Sequence, residues 1–185
     1  MVRNTRMWWV STLGFWRTVA VCAVAASMLV LGGCATPSPA DNVQRAMALL
    51  KSKAAQLGPA DIAGEDPVAG KTVPALFFGK VKMNNNFALV DEVQQQMGGT
   101  ATLFVRSGDD FVRVATNVKR DDGSRAIGTV LDPKGKAIAA IRNGDAYFGE
   151  ADILGKAYVT GYEPIRDATG KVIGIYYVGY LKTAP

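Results

Sequence analysis

The sequence predicts an α+β domain whose antiparallel sheet has about five to six strands and is preceded by a long N-terminal helix. Two segments with helical spacing of apolar residues come first, with a short strand between them. From Thr100 onward, apolar and polar residues alternate along several segments, as expected for strands with one buried face. Short turns rich in Gly and Asp separate these segments, so neighbouring strands are expected to run antiparallel.

The first element is predicted to be a helix from Asp41, which can cap its N-terminus, to Leu57, just before Gly58 and Pro59. Apolar residues recur along it at spacings of three and four, which gives one apolar stripe. The stripe consists of Val43, Met47, Leu50, Ala54 and Leu57. We expect it to pack on the domain's own sheet; a dimerising helix is the alternative, since this length offers only about two heptads.

The next elements are a loop over residues 59–70 and a strand over residues 73–78. A second helix is predicted from Phe87 to Met97 because the apolar residues 87, 89, 90, 93 and 97 share one face. The asparagines at 84–86 are expected to cap this helix, and the glycines at 98 and 99 are expected to end it in a left-handed conformation.

The rest of the chain is predicted to consist of hairpin-connected strands and one short helix. The helix covers residues 134–142, with Ile138 and Ile141 on its apolar side. The five strands cover residues 100–106, 111–119, 145–154, 156–165 and 171–181.

The first 33 residues are predicted to be a signal peptide. Arg3, Arg6 and Arg17 lie before or next to an uncharged stretch that begins at Thr18, and no acidic residue occurs before Asp41. A basic start, a short apolar core and a small-residue exit are typical of secretory signals. Residues 31–34, Leu-Gly-Gly-Cys, resemble a bacterial lipobox, in which the cysteine is acylated and becomes the first residue of the mature chain.

Cys34 is therefore the predicted lipidation site. Residues 34–40 are predicted to be a tether to a single domain over residues 41–182, because prolines at 37 and 39 favour an extended chain. A lipid-anchored protein of the cell envelope that faces the periplasm is expected, and Ala35 slightly favours the outer membrane. Two alternatives stay open: an uncleaved membrane helix, since the uncharged stretch is barely long enough to span a bilayer, and an ordinary cleaved export signal.

Composition excludes several kinds of chemistry. The sequence contains no histidine and two cysteines, Cys22 in the predicted signal peptide and Cys34. Catalysis by Ser-His-Asp or Cys-His groups and zinc sites with His or Cys ligands are therefore excluded, and no cofactor, metal or enzymatic activity is expected. Residues 1–33 hold three of the 21 basic and none of the 16 acidic residues, so the remainder carries about +2, and no nucleic-acid partner is expected.

Short motifs between Gly98 and Tyr180 are shared with a known family. They are Gly99–Thr102, Gly108–Asn117, Asp122–Thr129, Tyr147–Gly149, Ile153–Gly155, Tyr158, Tyr162–Ile165, Asp167, Gly170–Gly174 and Val178–Gly179. Together they resemble a Cache domain, the PAS-like extracytoplasmic sensor module of bacterial chemoreceptors and histidine kinases, and more narrowly the Cache-3/Cache-2 fusion type. The resemblance implies a PAS-like fold that holds a small ligand, often an organic acid or amino acid, against one face of the sheet.

Arg113 is the leading candidate for ligand contact. Alternation along the strand 111–119 is expected to place residues 111, 113, 115 and 117 on one face, so Arg113 and Asn117 would share it. A guanidinium in mid-strand is a bidentate donor suited to a carboxylate. The alternative is an ion pair between Arg113 and an acidic residue on a neighbouring strand. Arg125, in a turn beside Gly123, is expected either to close over a bound anion or to be exposed.

Hydroxyl groups form the second candidate set. Tyr158, Thr160 and Tyr162 alternate along one predicted strand and are expected to share a face that lines a polar pocket. Tyr147, at the start of its strand, is a similar candidate. The alternative is a half-buried sheet face whose hydroxyls point into water.

These expectations combine into one functional prediction. The chain is expected to be a lipid-anchored sensor domain that binds a small, anionic metabolite, an organic acid or amino acid. Because family members commonly lie between two transmembrane helices, a domain held only by lipid is expected to signal through a transmembrane partner. The alternative is a structural or interaction lipoprotein with a vestigial pocket, acting through the helix 41–57 or an exposed strand edge.

Overall fold

This computed structural model describes residues 37–182, which contain three helices and eight strands. The helices are α1 (Pro39–Leu57), α2 (Ala88–Met97) and α3 (Lys136–Arg142). The strands are β1 (Ala60–Val68), β2 (Lys71–Phe78), β3 (Val81–Lys82), β4 (Thr100–Ser107), β5 (Asp110–Thr116), β6 (Tyr147–Ile153), β7 (Lys156–Arg166) and β8 (Val172–Leu181). The predicted signal peptide and Cys34 lie outside the described residues.

Helix α1 begins two residues earlier than predicted, at Pro39, because Ser38 and not Asp41 is its N-cap. The Ser38 hydroxyl accepts a hydrogen bond from the Asp41 backbone N–H at 3.2 Å, and the Asp41 carboxylate accepts one from the Ser38 N–H at 3.1 Å. This reciprocal pair is a capping box, and Pro39 fits the first helical turn, where its missing N–H is not needed. Hydrogen bonds from Ser38 hold the pKa of Asp41 below its usual value.

The apolar stripe of α1 packs on the domain's own sheet, as predicted. Its buried residues are Val43, Ala46, Met47, Leu50 and Ala54, and the helix contacts β7, β8 and α2. Leu57, the last predicted member of the stripe, is 38 % exposed.

Five strands form the main sheet in the order β5-β4-β8-β7-β6, with every neighbouring pair antiparallel. The first and last strands of the sheet, β4 and β8, therefore lie side by side near its centre. This confirms the predicted α+β class and the antiparallel sheet with a long N-terminal helix.

The prediction of a loop over residues 59–70 was wrong, because most of this segment is β1, which pairs with β2 in a separate sheet of order β1-β2-β3. Gly64 and Pro67 make the segment resemble a loop in sequence. The pairing register shifts between Ile62 and Glu65, where Gly64 adopts a positive φ. A bulge and a proline are both tolerated on β1 because it is an edge strand.

Helix α2 ends as predicted at Gly98 and Gly99, both with positive φ. Its start differs by one residue, since Phe87 is the N-cap residue. Asn86 supplies a cap as predicted, because its Oδ1 accepts a hydrogen bond from the N–H of Ala88, the first residue of the helix, at 3.2 Å. Asn84 does not cap the helix; it is buried and binds strand β2, accepting from the Leu76 N–H at 2.9 Å and donating to the Pro74 carbonyl at 3.1 Å.

Strand β5 contains a bulge that the sequence pattern did not reveal. Leu103 pairs with Ala115 while Phe104 pairs with Arg113, so Val114 is the extra residue and has no partner on β4. The strand also ends at Thr116 and not at Lys119. The prediction that residues 111, 113, 115 and 117 share one face is therefore wrong beyond Arg113, because an inserted residue reverses the alternation that follows it.

Two hydrophobic cores cover the two faces of the main sheet. The helix-side core lies under α1 and α2 and extends to β2, with Leu50, Leu76 and Val90 among its fully buried members. The second, which we call the cavity-side core, includes Phe104, Tyr162 and Tyr177 of the sheet and Ile138 and Ile141 of α3. The described residues 37–182 all belong to one compact unit. None of the helices in the described part has the length and apolar character to cross a bilayer.

Candidate ligand-binding site

A cavity of about 520 Å³ lies on the face of the main sheet opposite α1. Arg113 of β5 and Tyr162 of β7 belong to its floor, and β6 with the following turn forms one wall, over residues 147 and 150–154. Residues 129–132 and 135–137, which include the start of α3, lie across it and form its cover. The volume is within the range that small-molecule sites occupy in proteins.

The cover is attached to β5 by backbone hydrogen bonds. The Arg113 N–H donates to the Thr129 carbonyl, the Gly128 N–H donates to the Arg113 carbonyl, and the Leu131 N–H donates to the Phe111 carbonyl, each at 2.9 Å. Residues 128–131 thus continue the sheet beyond its edge strand. The cover is therefore held over the cavity by hydrogen bonds of the fold itself.

Arg113 is a buried cation at this cavity, with 5 % of the residue exposed. Its Nη1 donates to the Thr129 hydroxyl at 3.0 Å, and its guanidinium lies 5.1 Å from the centroid of the Phe104 ring. Its Nε is buried and has no hydrogen-bond partner among residues 37–182. Within the same residues no carboxylate lies within ion-pair distance of Arg113, so the alternative of a pair with a neighbouring strand is not what the structure shows.

Burial lowers the pKa of Arg113, an effect that the nearby hydroxyls of Tyr177 and Tyr162 oppose and the charge of Arg120 reinforces. The ordinary pKa of arginine is so high that the group stays protonated at neutral pH. Burying a charge without a counter-ion costs on the order of several kcal/mol, even after the protein relaxes around it. An anion bound to the guanidinium would remove part of that cost.

Three tyrosines form an aromatic row beside Arg113. The rings of Tyr147 and Tyr162 have centroids 6.2 Å apart, and those of Tyr162 and Tyr177 are 4.9 Å apart. Burial raises the pKa of Tyr162 and of Tyr177 far above the usual value, so both stay neutral. The Tyr177 hydroxyl lies 3.3 Å from the Thr100 hydroxyl, and the Tyr147 hydroxyl donates to the Glu150 carbonyl at 2.8 Å. The Tyr162 hydroxyl has no partner within the described residues.

Comparison with family models identifies the fold. The model described as the Cache 3/Cache 2 fusion domain matches residues 37–184. This chain belongs to that family. Cache domains are extracytoplasmic sensor domains that bind small-molecule ligands and are generally not enzymes. A search among curated proteins found no match.

The cavity of this Cache domain brings together three of the predicted site residues, Arg113, Tyr147 and Tyr162. Tyr158 and Thr160 lie on the same strand and are not among the residues that line it. Tyr158 packs against the cavity-side core, and the buried Thr160 hydroxyl donates to the Gly149 carbonyl at 2.7 Å. Within the described part of the chain, no group of three or more His, Cys, Asp and Glu side chains gathers as metal ligands.

Asn117 lies away from the cavity, on the helix side of the sheet. Its Oδ1 accepts from the Ala101 N–H at 2.8 Å and its Nδ2 donates to the Val90 carbonyl of α2 at 2.7 Å. The bulge at Val114 is the physical reason, because it turns the residues after Arg113 to the opposite faces. The amide of Asn117 is thus used to join β4 to α2.

Arg125 is neither exposed nor placed over the cavity, contrary to both expectations. Its two Nη atoms donate to the two carboxylate oxygens of Asp91 at 2.7 and 2.8 Å, and Nη1 also donates to the Thr116 carbonyl at 2.7 Å. Its guanidinium lies 4.4 Å from the centroid of the Phe87 ring. These contacts hold the loop after β5 against α2.

The sequence did not reveal the residues of the cover. Thr129 bonds Arg113 through both its backbone and its side chain, and Leu131 and Ala137 supply apolar surface. Residues 117–135 have no helical or alternating pattern that would predict their position. The only signal was that Thr129 ends one of the motifs shared with the family.

Proposed function

We propose that this chain is a lipid-anchored sensor that binds a small organic acid or amino acid in the cavity beneath residues 129–137. The observation that carries the proposal is Arg113, a buried cation that lines the cavity and has no ion-pair partner among residues 37–182. A carboxylate is the simplest small group that would supply the missing charge. It would bind where the protein itself leaves a donor unused.

The proposed contact is a charge-assisted hydrogen bond from the guanidinium of Arg113 to a ligand carboxylate. The Nη1 atom already binds Thr129, which fixes the plane of the guanidinium, and neither Nε nor Nη2 forms a hydrogen bond within residues 37–182, so donors remain for the ligand. Tyr162 lines the same cavity, and its hydroxyl is proposed to set the orientation of the ligand. The ring of Tyr147 would then lie against the ligand's body.

The cover is the part of the domain that we propose changes position when a ligand binds. The N–H, the carbonyl and the Nη1 of Arg113 all bond Gly128 or Thr129, so any shift of Arg113 on ligand binding reaches residues 128–137 directly. Helix α3 follows that segment and would move with it. A change in this surface is proposed to alter contact with a transmembrane partner, which carries the signal onward.

The anchor is proposed to be lipid on Cys34, which places the domain in the cell envelope facing the periplasm, with the outer membrane favoured by Ala35. The sequence supports this through the basic start, the uncharged stretch and the lipobox-like residues 31–34. Because α1 starts at Pro39, the tether between Cys34 and the N-cap Ser38 consists of residues 35–37.

The binding proposal is tested by calorimetry and thermal shift on residues 36–185 with a panel of organic acids and amino acids. A ligand should raise the apparent melting temperature by mass action. Arg113→Gln is expected to weaken binding at least tenfold, because a hydrogen bond to a charged group contributes roughly 1.5–3 kcal/mol. The matched control is Arg106→Gln on the neighbouring strand β4, an exposed arginine outside this cavity, which should leave affinity unchanged.

Two results would overturn the binding proposal. One is the absence of heat and of any thermal shift across the whole panel. The other is binding that Arg113→Gln leaves intact. If in that case crosslinking in cells captures a stable partner without any ligand, the chain acts as a structural or interaction lipoprotein with a vestigial pocket.

Tyr162→Phe tests the orienting hydroxyl. Affinity should fall about threefold to tenfold, as expected for the loss of one neutral hydrogen bond of about 1 kcal/mol. The melting temperature of the unliganded domain should not fall, since that hydroxyl has no partner within residues 37–182. Unchanged affinity would remove Tyr162 from the proposed contact.

The anchor is tested in the full chain by metabolic labelling with a fatty-acid analogue and by membrane fractionation. Label should be incorporated into the natural chain and be absent from Cys34→Ala. The control Cys22→Ala should be labelled normally, because the residue before Cys22 is a valine where processing favours a small residue. Equal labelling of Cys34→Ala would contradict lipidation at Cys34.

A further inference from the structure

The charged residues that line the cavity differ in how far they are buried. Arg113 is the buried charged residue in its lining, whereas the other charged lining residues, Asp132, Lys136, Glu150 and Asp152, are exposed. The question for ligand chemistry is whether any of the three carboxylates could meet a positive group on a ligand bound at Arg113. Their positions and hydrogen bonds answer it one by one.

The two acidic residues of β6 belong to the lining, but their side chains alternate with those that face the interior of the cavity. Tyr147, Ala151 and Ile153 pack with the cavity-side core, so the residues between them point to the other side of the sheet. Glu150 pairs directly with Val159, which packs on the helix-side core, and its carboxylate accepts from Lys182 Nζ at 2.6 Å. The Asp152 carboxylate accepts from the Gly155 N–H at 2.8 Å in the turn after β6.

The third carboxylate, Asp132, is part of the turn before α3. Its Oδ1 accepts from the Lys134 N–H at 3.0 Å, and the residue is exposed at the rim. Lys136 is also exposed, and a solvated lysine contributes little to an ion pair. The interior therefore offers one cation and no carboxylate among the described residues.

Apolar and aromatic side chains form the buried part of the remaining lining, beside the hydroxyls of Thr129 and the two tyrosines. Leu131, Ala137, Ala151 and Ile153 lie around the rings of Tyr147 and Tyr162. The volume of about 520 Å³ is much larger than a carboxylate group alone needs. A ligand that fills it places its body against these side chains, where an unpaired charged group would be unfavourable.

We infer that the cavity selects monocarboxylates with an apolar or aromatic body over amino acids and dicarboxylates. This inference rests on the proposed function and narrows it to one class of ligand. The carboxylate binds Arg113, and the body lies along Ala151 and the tyrosine rings. An α-ammonium finds no counter-charge in the interior, and a second carboxylate finds only the exposed Lys136 at the rim.

The test compares probes that differ only in the disfavoured group, by calorimetry on residues 36–185. The pairs are 3-phenylpropanoate with phenylalanine, 4-methylpentanoate with leucine, and hexanoate with adipate. Each monocarboxylate is expected to bind at least tenfold more tightly than its partner. The inference would be overturned if the amino acids or adipate bound as tightly as their partners or more tightly. If Arg113→Gln also abolished that binding, the proposed function would still hold.

Two further results separate the inference from the proposed function. If no probe of any class binds, or if binding survives Arg113→Gln, the proposed function fails and the inference fails with it. Glu150→Gln and Asp152→Asn serve as matched variants, because both remove a carboxylate near the cavity without changing its inward face. Neither variant should change the ratio of the affinities for 3-phenylpropanoate and phenylalanine. If either variant lost affinity for phenylalanine alone, its carboxylate would be binding the ammonium group, which would contradict the inference.

Discussion

Polar side chains on the two faces of the main sheet differ in how many of their hydrogen-bonding groups have partners within the protein. On the helix side, Arg125 forms a two-point ion pair with Asp91 and a third bond to the Thr116 carbonyl, and the amide of Asn117 bonds on both of its ends. On the cavity side, Arg113 binds Thr129 through Nη1 and leaves Nε without a partner among the described residues. Both arginines also lie over a phenylalanine ring.

The difference separates side chains that hold the fold from those that are available to a ligand. Hydrogen-bonding capacity used within the protein stabilises it, and its removal leaves buried groups without partners. Capacity that is buried and unused costs free energy in the unliganded state. Substitutions on the two faces should therefore affect stability and binding in opposite ways, and the predictions below test that contrast.

Asn117→Ala should give the largest loss of stability. It leaves the Ala101 N–H and the Val90 carbonyl without their partner in the interior, which is expected to lower the free energy of unfolding by about 2–4 kcal/mol. Urea unfolding of residues 36–185 measures this, with Asn143→Ala as control because Asn143 is exposed at the end of α3. A loss no greater than that of the control would show that the helix side does not depend on this amide.

Arg125→Gln should give the next largest loss of stability, lowering the free energy of unfolding by about 1–2 kcal/mol. The ion pair with Asp91 is only partly buried, so solvent reduces its contribution below that of a fully buried pair. The exposed Arg45→Gln on α1 is the control. Affinity for any cavity ligand should not change. A tenfold loss of affinity in Arg125→Gln would remove the contrast between the two faces.

Arg113→Gln should have the opposite sign for the unliganded domain. Removing a buried charge that has no counter-ion among the described residues should leave the unfolding free energy level or raise it by up to about 1 kcal/mol. Urea unfolding without ligand checks this, next to the calorimetry that measures the loss of binding. A destabilisation as large as that of Asn117→Ala would mean that Arg113 supports the fold.

Ser38→Ala should give the smallest effect, and one that depends on pH. Hydrogen bonds from Ser38 lower the pKa of Asp41 in the folded state, so this interaction stabilises the fold above the unfolded pKa of about 3.9 and is lost as the pH falls through the lower folded value. The stability difference between Ser38→Ala and the natural chain should be larger at pH 7 than near pH 2. An equal difference at both pH values would exclude a contribution from the Asp41 charge.

Much of the architecture could be predicted because apolar periodicity is local. The stripe of α1 and the alternation in β4, β7 and β8 each identify an element from its own residues. The face of Tyr147 and Tyr162 followed in the same way. Arg113 was identified because a guanidinium in the middle of a strand is a bidentate donor suited to a carboxylate.

The remaining features depend on contacts that are distant in sequence or on single-residue irregularities. The partner of Arg125 is Asp91, on a helix that no spacing rule connects with the loop after β5. Strand β1 is defined by pairing with β2, while its own residues include a glycine and a proline typical of loops. The cover has no periodic pattern, so the contact of Thr129 with Arg113 could not be predicted.

The bulge at Val114 makes β5 two half-strands that are out of phase. In a regular strand, residues four positions apart point the same way, and Arg113 and Asn117 would compete for one environment. Because of the extra residue, the part of this seven-residue strand before the bulge contributes Arg113 to the cavity. The part after the bulge, continued to Asn117, holds the sheet to α2. Any hydrophobicity profile averaged over the whole strand cancels these two signals, so homologous strands are best compared by treating each side of position 114 separately.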